Sequence, residues 1–470
     1  MANKELQQII KAVEAGQYEQ AHHLFEALQV EPHEAQFAAY LRSLTNFQLG
    51  EIPHALALFA DATATDCPND WWVNYGICAR KAEAWETLAV VTANLRRRGV
   101  DGYQSVALQA ETARRDCDFE EAIRLFQQER QGGIQSLELE HAYANALRDA
   151  GQYQEALTVY RGALSIQEDP EIRWNQTLTE LAIGKAGLES FEHRFERSPP
   201  PYLEYTPTKL TRLLEARDLR NKRLLLISEQ GFGDSLQFAR YAPALEKMSA
   251  SFAWVVPKRL KKLLSESFPS LTCIEHSQVD ETEWDGWTGL MSAPYLGIDE
   301  VEGPYLKAGH LPKHLQKFRG SVLINWAGSK TYIHDFWRSL TAEDFTELAA
   351  FDSEKPLISI QHGLDAEARA SLPTGIQALG HTIDTEGDGF LETASLLNVS
   401  KAFVTTDTSV AHLAGGLGVK THLILGPLAD WRWEWENQTS PWYPTMVLHR
   451  WRKRSELADI MASIWSAIRS

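Results

Sequence analysis

Small and large apolar residues recur at helical spacing along the first third of the chain. An alanine followed three and four residues later by two larger apolar side chains occurs at Ala21, Ala55, Ala122 and Ala156. Positions i, i+3 and i+4 lie on one face of a helix, so each copy predicts a helix that packs closely through its alanine. The copies at 21 and 55, and those at 122 and 156, are 34 residues apart, and a weaker copy at Ala89 continues the spacing.

A turn precedes each copy. Gly16 and Gly151 begin the same Gly-Gln-Tyr phrase, and Gly50 and Asp116 occupy the corresponding places. Such residues end one helix and start the next, so the period is a helical hairpin. The pattern resembles the tetratricopeptide repeat and covers residues 1 to about 170, where an α-solenoid with a concave face for a polypeptide is expected. An ordinary helical bundle with chance similarity is the alternative.

The pattern changes after about residue 202. Short aliphatic runs alternate there with helical segments, which predicts parallel sheets covered by helices on both faces. Three prolines at 199–201 end a helix that runs to Arg197, and a polar stretch from 310 to 320 separates two halves. We therefore predict three domains: 1–197, 202–315 and 319–470. The predicted strands are 224–228, 252–256, 322–326, 357–360, 402–405 and 421–425.

Composition narrows the classes of function. The 470 residues are 44% hydrophobic and 23% charged, as in soluble multidomain proteins. A net charge of −17 argues against nucleic-acid binding and against anionic membranes. Without an apolar signal segment or a run of about 18 apolar residues, we expect a cytoplasmic protein with no stable membrane insertion. The four cysteines lack metal-ligand spacing, so neither a metal site nor a disulfide framework is predicted.

The first candidate site follows the strand predicted at 224–228. Loops at the carboxyl ends of parallel strands line the ligand crevice, and Gly231 and Gly233 would let a ligand approach the backbone there. The loop is neither a Walker A motif nor a complete dinucleotide fingerprint. Asp234 is either a functional carboxylate or the N-cap of the next helix, and the local sequence leaves both open.

The second candidate site follows the strand predicted at 402–405. Asp407, Thr408 and Ser409 place a carboxylate and two hydroxyls at the start of a helix, where backbone N–H groups favour a pyrophosphate. His412 lies about one turn further and either reaches the same phosphate or is a packed structural residue.

Two cations lie beside the strand predicted at 322–326. Lys330 and Arg338 are placed to neutralise a diphosphate, although solvated surface cations are the common alternative. The aromatic segment 430–444 would stack on a base or sugar ring, or pack between lobes.

In order and spacing these motifs resemble tetratricopeptide-repeat glycosyltransferases related to glycosyltransferase family 9, the heptosyltransferases. The resemblance implies a GT-B fold of two Rossmann-like lobes, with a nucleotide-sugar donor bound mainly by the C-terminal lobe. It also implies inverting transfer without a metal or other cofactor. The matching segments are Ser-Glu-Gln-Gly-Phe-Gly-Asp-Ser at 228–235, Asn-Trp-Ala-Gly at 325–328, Asp-Thr-Ser-Val-Ala-His at 407–412 and Asp-Trp-Arg-Trp at 430–433.

The resemblance assigns roles to the candidate residues. Asp234 takes the place of the general base that deprotonates the acceptor. The family's phosphate-binding lysine has two competing counterparts, Lys330 and Arg338. The groups implied to hold the donor's ribose, phosphates and nucleoside are Asp407, Thr408 and Ser409, with His412 in support and Gln361 at the nucleoside.

Three functions agree with these features. A polypeptide acceptor held by the repeats is the leading hypothesis, because a repeat arm has little use for a small acceptor. The alternatives are a glycosyltransferase for lipopolysaccharide or another surface glycan, and a repeat scaffold with a vestigial transferase module. The sequence leaves the donor sugar, its base and the acceptor open.

Overall fold

The computed structural model describes residues 4–133, 136–330, 332, 334–351, 356–385, 387, 389–435 and 437–469. The chain forms two compact units, residues 1–167 and residues 168–470. The predicted division into three domains stays a prediction. Residues 168–197, which it groups with the repeats, belong to the second unit by their contacts.

The first unit is entirely helical over its described residues. The two helices of each hairpin, such as α1 with α2 and α3 with α4, pack most closely on each other, and successive hairpins contact along the chain. The predicted helical-repeat architecture is thereby confirmed. The helices are α1 (Lys4–Glu14), α2 (Tyr18–Ala27), α3 (Ala35–Gln48), α4 (Ile52–Thr63), α5 (Asn69–Lys81), α6 (Trp85–Arg97), α7 (Tyr103–Arg115), α8 (Phe119–Gln131), α9 (Leu137–Asp149) and α10 (Tyr153–Ile166).

One turn geometry joins the two helices of each hairpin. Its central residue has a positive φ at Gly16, Gly50, Glu83, Cys117 and Gly151. In every case this residue donates its N–H to the carbonyl three residues earlier. Left-handed backbone favours glycine, yet two of the five turns adopt it with other side chains. The interval from 50 to 83 is 33 residues, one shorter than the others that begin at 16, 83 and 117.

The shorter interval corrects one prediction. The predicted copy at Ala89 is wrong by one residue, because Ala89 is exposed and Leu88 is buried in its place. A fixed spacing of 34 residues does not reveal a repeat that has lost one residue. The alanines of the other copies are completely buried, as predicted: Ala21, Ala55, Ala122 and Ala156.

The second unit begins with α11 (Pro170–Ala182) and a 3-10 segment, Lys185–Phe195. A four-stranded parallel sheet follows, in the order β3-β2-β1-β4. Its elements are β1 (Arg223–Ile227), β2 (Ser251–Val255), β3 (Cys273–Ile274) and β4 (Gly286–Gly289), with helices α12 (Ala216–Leu219), α13 (Phe232–Phe238), α14 (Ala242–Met248) and α15 (Lys261–Ser267).

The rest of the unit forms a six-stranded parallel sheet in the order β10-β9-β8-β5-β6-β7. Its strands are β5 (Val322–Asn325), β6 (Leu357–Ser359), β7 (Ile376–Ala378), β8 (Ala402–Thr406), β9 (Thr421–Leu425) and β10 (Met446–Arg450). Its helices are α16 (Asp335–Arg338), α17 (Thr346–Ala350), α18 (Ala366–Ala370), α19 (Leu391–Leu397), α20 (Ser409–Leu417) and α21 (Leu457–Arg469).

The two sheets confirm the predicted pair of Rossmann-like lobes after a helical-repeat region. Strands β8 and β9 are buried at every residue, as expected for central strands with helices on both faces. One hydrophobic core includes Leu226 of the first sheet and Leu423 of the second. Within the described part of the chain, no helix has the length and apolar character needed to cross a bilayer.

Candidate active site

Two helices that begin at strand ends meet in the second unit. Helix α13 follows β1, α20 follows β8, and the two are in direct contact. Gly233 lies at the contact, because a Cβ added there would come within 2.9 Å of the His412 ring and 3.5 Å of Ser409 Cα. The predicted donor contact of Gly233 stays a prediction. Its observed role is to let α13 pack closely on the first turn of α20.

Asp234 is the third residue of α13, and Gly231 is the N-cap. One carboxylate oxygen, Oδ2, accepts the Gly231 N–H at 2.8 Å. The alternative that Asp234 is the N-cap residue is therefore wrong. Its carboxylate nevertheless accepts the N–H of the N-cap residue Gly231, which has no partner within the helix. The other oxygen, Oδ1, accepts from Arg432 Nη2 at 2.5 Å. Burial raises the pKa of the Asp234 carboxyl, and the Arg432 guanidinium and the Gly231 N–H oppose the rise.

Arg432 connects the two lobes. It lies in the loop after β9 and is buried, with 7% of its surface exposed. Besides Asp234, it donates through Nη1 to Asp430 at 2.8 Å and through Nε to Gln237 at 2.6 Å. The sequence motifs predict no role for Asp430 or Arg432. Both residues lie within a few positions of the end of the strand predicted at 421–425. An acid and an arginine in such a place are the signal that identifies them as candidate site residues.

Asp407 directly follows β8 and belongs to the same charged cluster. Burial raises the pKa of its carboxyl to about 6, and the Asp430 carboxylate adds to the rise. The Trp433 side chain opposes it, as do the guanidinium groups of Arg338 and Arg432. Asp234 and Asp407, one candidate acid from each lobe, therefore both interact electrostatically with the buried Arg432.

The predicted phosphate site lies at the start of α20. Thr408 is its N-cap, and among the described residues the Thr408 side chain does not cap the helix. Its Oγ1 lies 3.5 Å from Asn325 Nδ2, at the end of the neighbouring strand β5. The Ala411 N–H already donates to the Thr408 carbonyl at 3.0 Å, so the N–H groups of Ser409 and Val410 are the ones that a phosphate would meet.

His412 is a packed residue of α20. Its ring is 5% exposed, its Nδ1 lies 2.9 Å from the Tyr443 hydroxyl, and it stacks on Trp433 at a centroid distance of 5.2 Å. Burial holds the pKa of the imidazole well below its usual value, and the nearby Arg432 and Arg240 add to the effect. These contacts favour the packing alternative, with a neutral ring, and phosphate support stays a prediction.

Gln361 joins two loops at the same edge of the second sheet. Its Oε1 accepts the N–H groups of Trp326 at 3.2 Å and Ala327 at 3.0 Å. Its Nε2 donates to the carbonyl of His362 at 3.2 Å. The amide orients the loops that follow β5 and β6, and its contact with a nucleoside stays a prediction.

The structure separates the two competing cations. Arg338 lies over the Tyr332 ring at 4.3 Å, donates to Asp335 at 3.0 Å, and opposes the rise in the pKa of Asp407. Lys330 is exposed and does not contribute to that pKa among its main causes. Arg338 is therefore the cation that belongs to the charged cluster.

A buried ion pair holds the base of the first loop. Glu229, directly after β1, accepts from Arg194 at 2.8 and 2.9 Å and from the Met291 N–H at 3.0 Å. Both charged side chains are 1% exposed. A Cβ at Gly289 would lie 2.4 Å from the Glu229 carboxylate, so glycine is required there. The pair, which no sequence motif predicts, ties the 3-10 segment to the loop between β1 and α13, the helix that carries Asp234.

No protein-family model matches the chain. Among curated proteins it is similar to Protein FlbA of Caulobacter vibrioides, with 23% identity over 405 residues. The match covers 78% of this chain and 63% of FlbA, so the chain spans less than two thirds of that relative's length.

Three solved structures illustrate the structural similarities. The E. coli heptosyltransferase WaaC with ADP-2-deoxy-2-fluoro heptose has 13% identity and a TM-score of 0.36, over 53% of this chain and 100% of WaaC. The dodecameric iron-containing heptosyltransferase TibC with ADP-D-beta-D-heptose has 15% identity and a TM-score of 0.37, over 53% of this chain and 76% of TibC. The C-terminal part of a TPR repeat-containing protein from Cytophaga hutchinsonii has 11% identity and a TM-score of 0.31, over 40% of this chain and 78% of that one.

Proposed function

We propose that residues 168–470 form a glycosyltransferase that moves a sugar from a nucleotide-sugar donor to an acceptor. The observation that carries the proposal is the cluster at the strand ends of both sheets. It combines a half-buried carboxylate on one lobe, Asp234, with the start of helix α20 on the other, and Arg432 links the two. Such a transfer requires a carboxylate that can act as a base beside the acceptor. It also requires an anion site for the departing diphosphate.

Asp234 acts as the general base in the proposed reaction. Its burial raises the pKa of the carboxyl, which makes the carboxylate a stronger base than an exposed aspartate. The Gly231 N–H holds Oδ2, so Oδ1 is the oxygen that takes the acceptor's proton as the acceptor attacks the anomeric carbon. Arg432 occupies Oδ1 in the structure. A donor diphosphate that attracts Arg432 releases this oxygen, so donor binding would activate the base.

The donor is proposed to bind at the second sheet. The first N–H groups of α20 and the Arg338 guanidinium stabilise the negative charge that develops on the leaving diphosphate. Asp407 faces the ribose, where a carboxylate can accept a hydrogen bond from a hydroxyl group. Inversion, independence of a metal and a cytoplasmic location stay predictions of the resemblance and of the sequence.

We further infer that the acceptor is a polypeptide bound by the repeats. Stacked helical hairpins present an extended surface of the kind that binds peptides. Incubation of the full chain with a radiolabelled donor and a bacterial extract tests this inference. Label on protein supports it, whereas label only on glycolipid favours the surface-glycan alternative.

A thermal-shift panel tests donor binding first. UDP, ADP, GDP, CMP and their common sugar conjugates are compared on the wild type, on Asp407→Ala and on Asp459→Ala, an exposed control on α21. A ligand at about 100 times its Kd stabilises the folded state by about 2.7 kcal/mol. Selective stabilisation lost only in Asp407→Ala supports the transferase. No shift with any nucleotide would favour the scaffold.

A further inference from the structure

The repeat unit contains a cavity of about 700 Å³ between α6, α7 and α8. Its walls are the end of α6, the turn at 99–102, the first half of α7 and most of α8. The volume lies within the range of about 300–1,000 Å³ that is typical of ligand pockets. None of the proposed transferase residues contributes to it, so the cavity requires its own explanation.

One charged side chain in the cavity wall is buried without a partner. Glu129 of α8 is 9% exposed, and its Oε1 has no hydrogen-bond partner among the described residues. A buried carboxylate oxygen that makes no hydrogen bond costs free energy, and a ligand that supplies a donor recovers it. Glu129 therefore brings to the wall a carboxylate whose buried oxygen Oε1 is left unsatisfied by the described residues, and a ligand must reach this oxygen to bond it.

The cations in the wall are already paired with a different acid. Glu121 accepts from Arg124 at 2.6 and 2.7 Å and from Arg96 at 3.2 Å. Asp101 is the remaining acid in the wall. With both arginines held by Glu121, the wall has an excess of negative charge at Glu129 and Asp101. A ligand with a positive charge neutralises this excess of negative charge.

The rest of the cavity wall suits the aliphatic part of a long cationic side chain and the peptide backbone that carries it. Val106 and Leu125 are buried apolar residues, and Val100 lies beside them. Long cationic side chains bury their aliphatic stems against surfaces of this kind while the charged end meets a carboxylate. Gln109 Nε2 already donates to Ser105 Oγ at 3.1 Å and Gln128 Oε1 accepts from Arg124 at 2.8 Å, so the opposite ends of these two amides, Gln109 Oε1 and Gln128 Nε2, are the groups that would bind a peptide backbone.

We propose that this cavity binds a lysine or arginine side chain of an extended polypeptide, with Glu129 as the acceptor of its charged group. The cavity holds more than one side chain, so flanking backbone also enters it. The site lies wholly within residues 1–167 and goes beyond the proposed sugar transfer. It selects polypeptides by a positive charge, whether or not the second unit is active.

Calorimetry on the full chain with three capped pentapeptides tests the proposal. The peptides are Gly-Ala-X-Ala-Gly with arginine, lysine or norleucine at the central position, and agmatine is the free-amine probe. A charged hydrogen bond in a buried site corresponds to a preference of about tenfold or more, so the arginine or lysine peptide binds at least that much more tightly than norleucine. Glu129→Gln abolishes the preference, and Glu120→Gln, an exposed change on the same helix, retains it.

Three results would overturn the proposal. They are equal binding of the norleucine peptide to the wild type, an unchanged preference in Glu129→Gln, and no binding of any peptide at millimolar concentration. Agmatine binding as tightly as the peptides would instead identify a site for small amines. The norleucine comparison needs no variant, and unchanged helix content by circular dichroism excludes unfolding of Glu129→Gln.

Discussion

The two units of the chain position their important residues in different ways. In residues 1–167 one hairpin geometry recurs, and each buried alanine packs within its own repeat and the adjacent one. In residues 168–470 the hydrogen bond between Asp234 and Arg432 joins positions that are 198 residues apart. A local period therefore encodes the first unit, whereas only the strand order assembles the site of the second. Substitutions should have small, local effects in the repeats and large, non-local ones at the site.

Asp234→Asn tests the largest effect expected at the site. If Asp234 is the base, its loss should lower kcat by about 10²–10⁴-fold, because asparagine cannot accept the proton. The thermal shift caused by the donor should remain, since the carboxylate does not hold the donor. Transfer of label from the donor measures the rate, and Asp459→Asn on the exposed face of α21 is the control. Unchanged turnover in Asp234→Asn would remove the base from the mechanism.

Arg194→Met tests whether a buried pair supports the site from a distance. It leaves Glu229 buried with its charge uncompensated, which should cost about 3–5 kcal/mol of stability in urea denaturation. The double variant with Glu229→Gln should lose less than the sum of the single changes. Arg217→Met removes a surface pair with Glu215, whose side chains are 78% and 55% exposed, and should change stability by less than about 1 kcal/mol. Equal effects of the buried and exposed changes would contradict the comparison.

Asp407→Asn tests the electrostatics of the cluster. The folded pKa of about 6 is above the unfolded value of about 3.9, so the native state binds the extra proton between these values. Wild-type stability should therefore fall relative to the variant as pH rises from about 4 to above 6, by about 1–3 kcal/mol. Burial is the main cause of the raised pKa, the Asp430 carboxylate adds to it, and Trp433, Arg338 and Arg432 oppose it.

Thermal unfolding of wild type and Asp407→Asn at pH 4.5 and pH 7.5 measures the difference. A stability difference that stays constant between the two pH values would show that Asp407 is not held in this environment. Comparing the two proteins at each pH cancels the contribution of groups that titrate alike in both.

The strands show what a sequence pattern can and cannot predict. Strands β1, β2, β5, β6, β8 and β9 are predicted because each contains a short run of residues that favour strands. Strand β4 is Gly-Trp-Thr-Gly, and β3 has two residues, so neither carries a recognisable pattern. Strand β10 alternates buried and exposed positions over only its first residues. Pairing with neighbours in the sheet, not local preference, makes these segments strands.

The site shows the same limit. Asp407 is predicted because it directly follows a recognisable strand, and Asp234 because it lies in the segment after one and takes the place of the general base that the resemblance implies. Arg432 and Asp430 were not assigned, since their roles depend on which loops the topology brings together. The buried partner of Glu229 is Arg194, 35 residues earlier and in a different element. Residue type and strand ends predict where chemistry is found, but the contacts between distant elements require the fold.

Glu83→Gly tests the smallest effect and the repeat side of the comparison. Glu83 has a φ of +55° at a turn where three other repeats have glycine. Glycine there relieves left-handed strain, so stability should rise by about 0.5–1 kcal/mol. Ala89→Gly, on the exposed face of α6, should have the opposite sign and cost about 1 kcal/mol. Urea denaturation measures both, and a loss of stability in Glu83→Gly would mean that the Glu83 side chain, rather than the backbone geometry, determines this turn. Whether stability rises or falls, donor binding should remain unchanged, because the repeat that carries the turn interacts mainly with its neighbouring repeats.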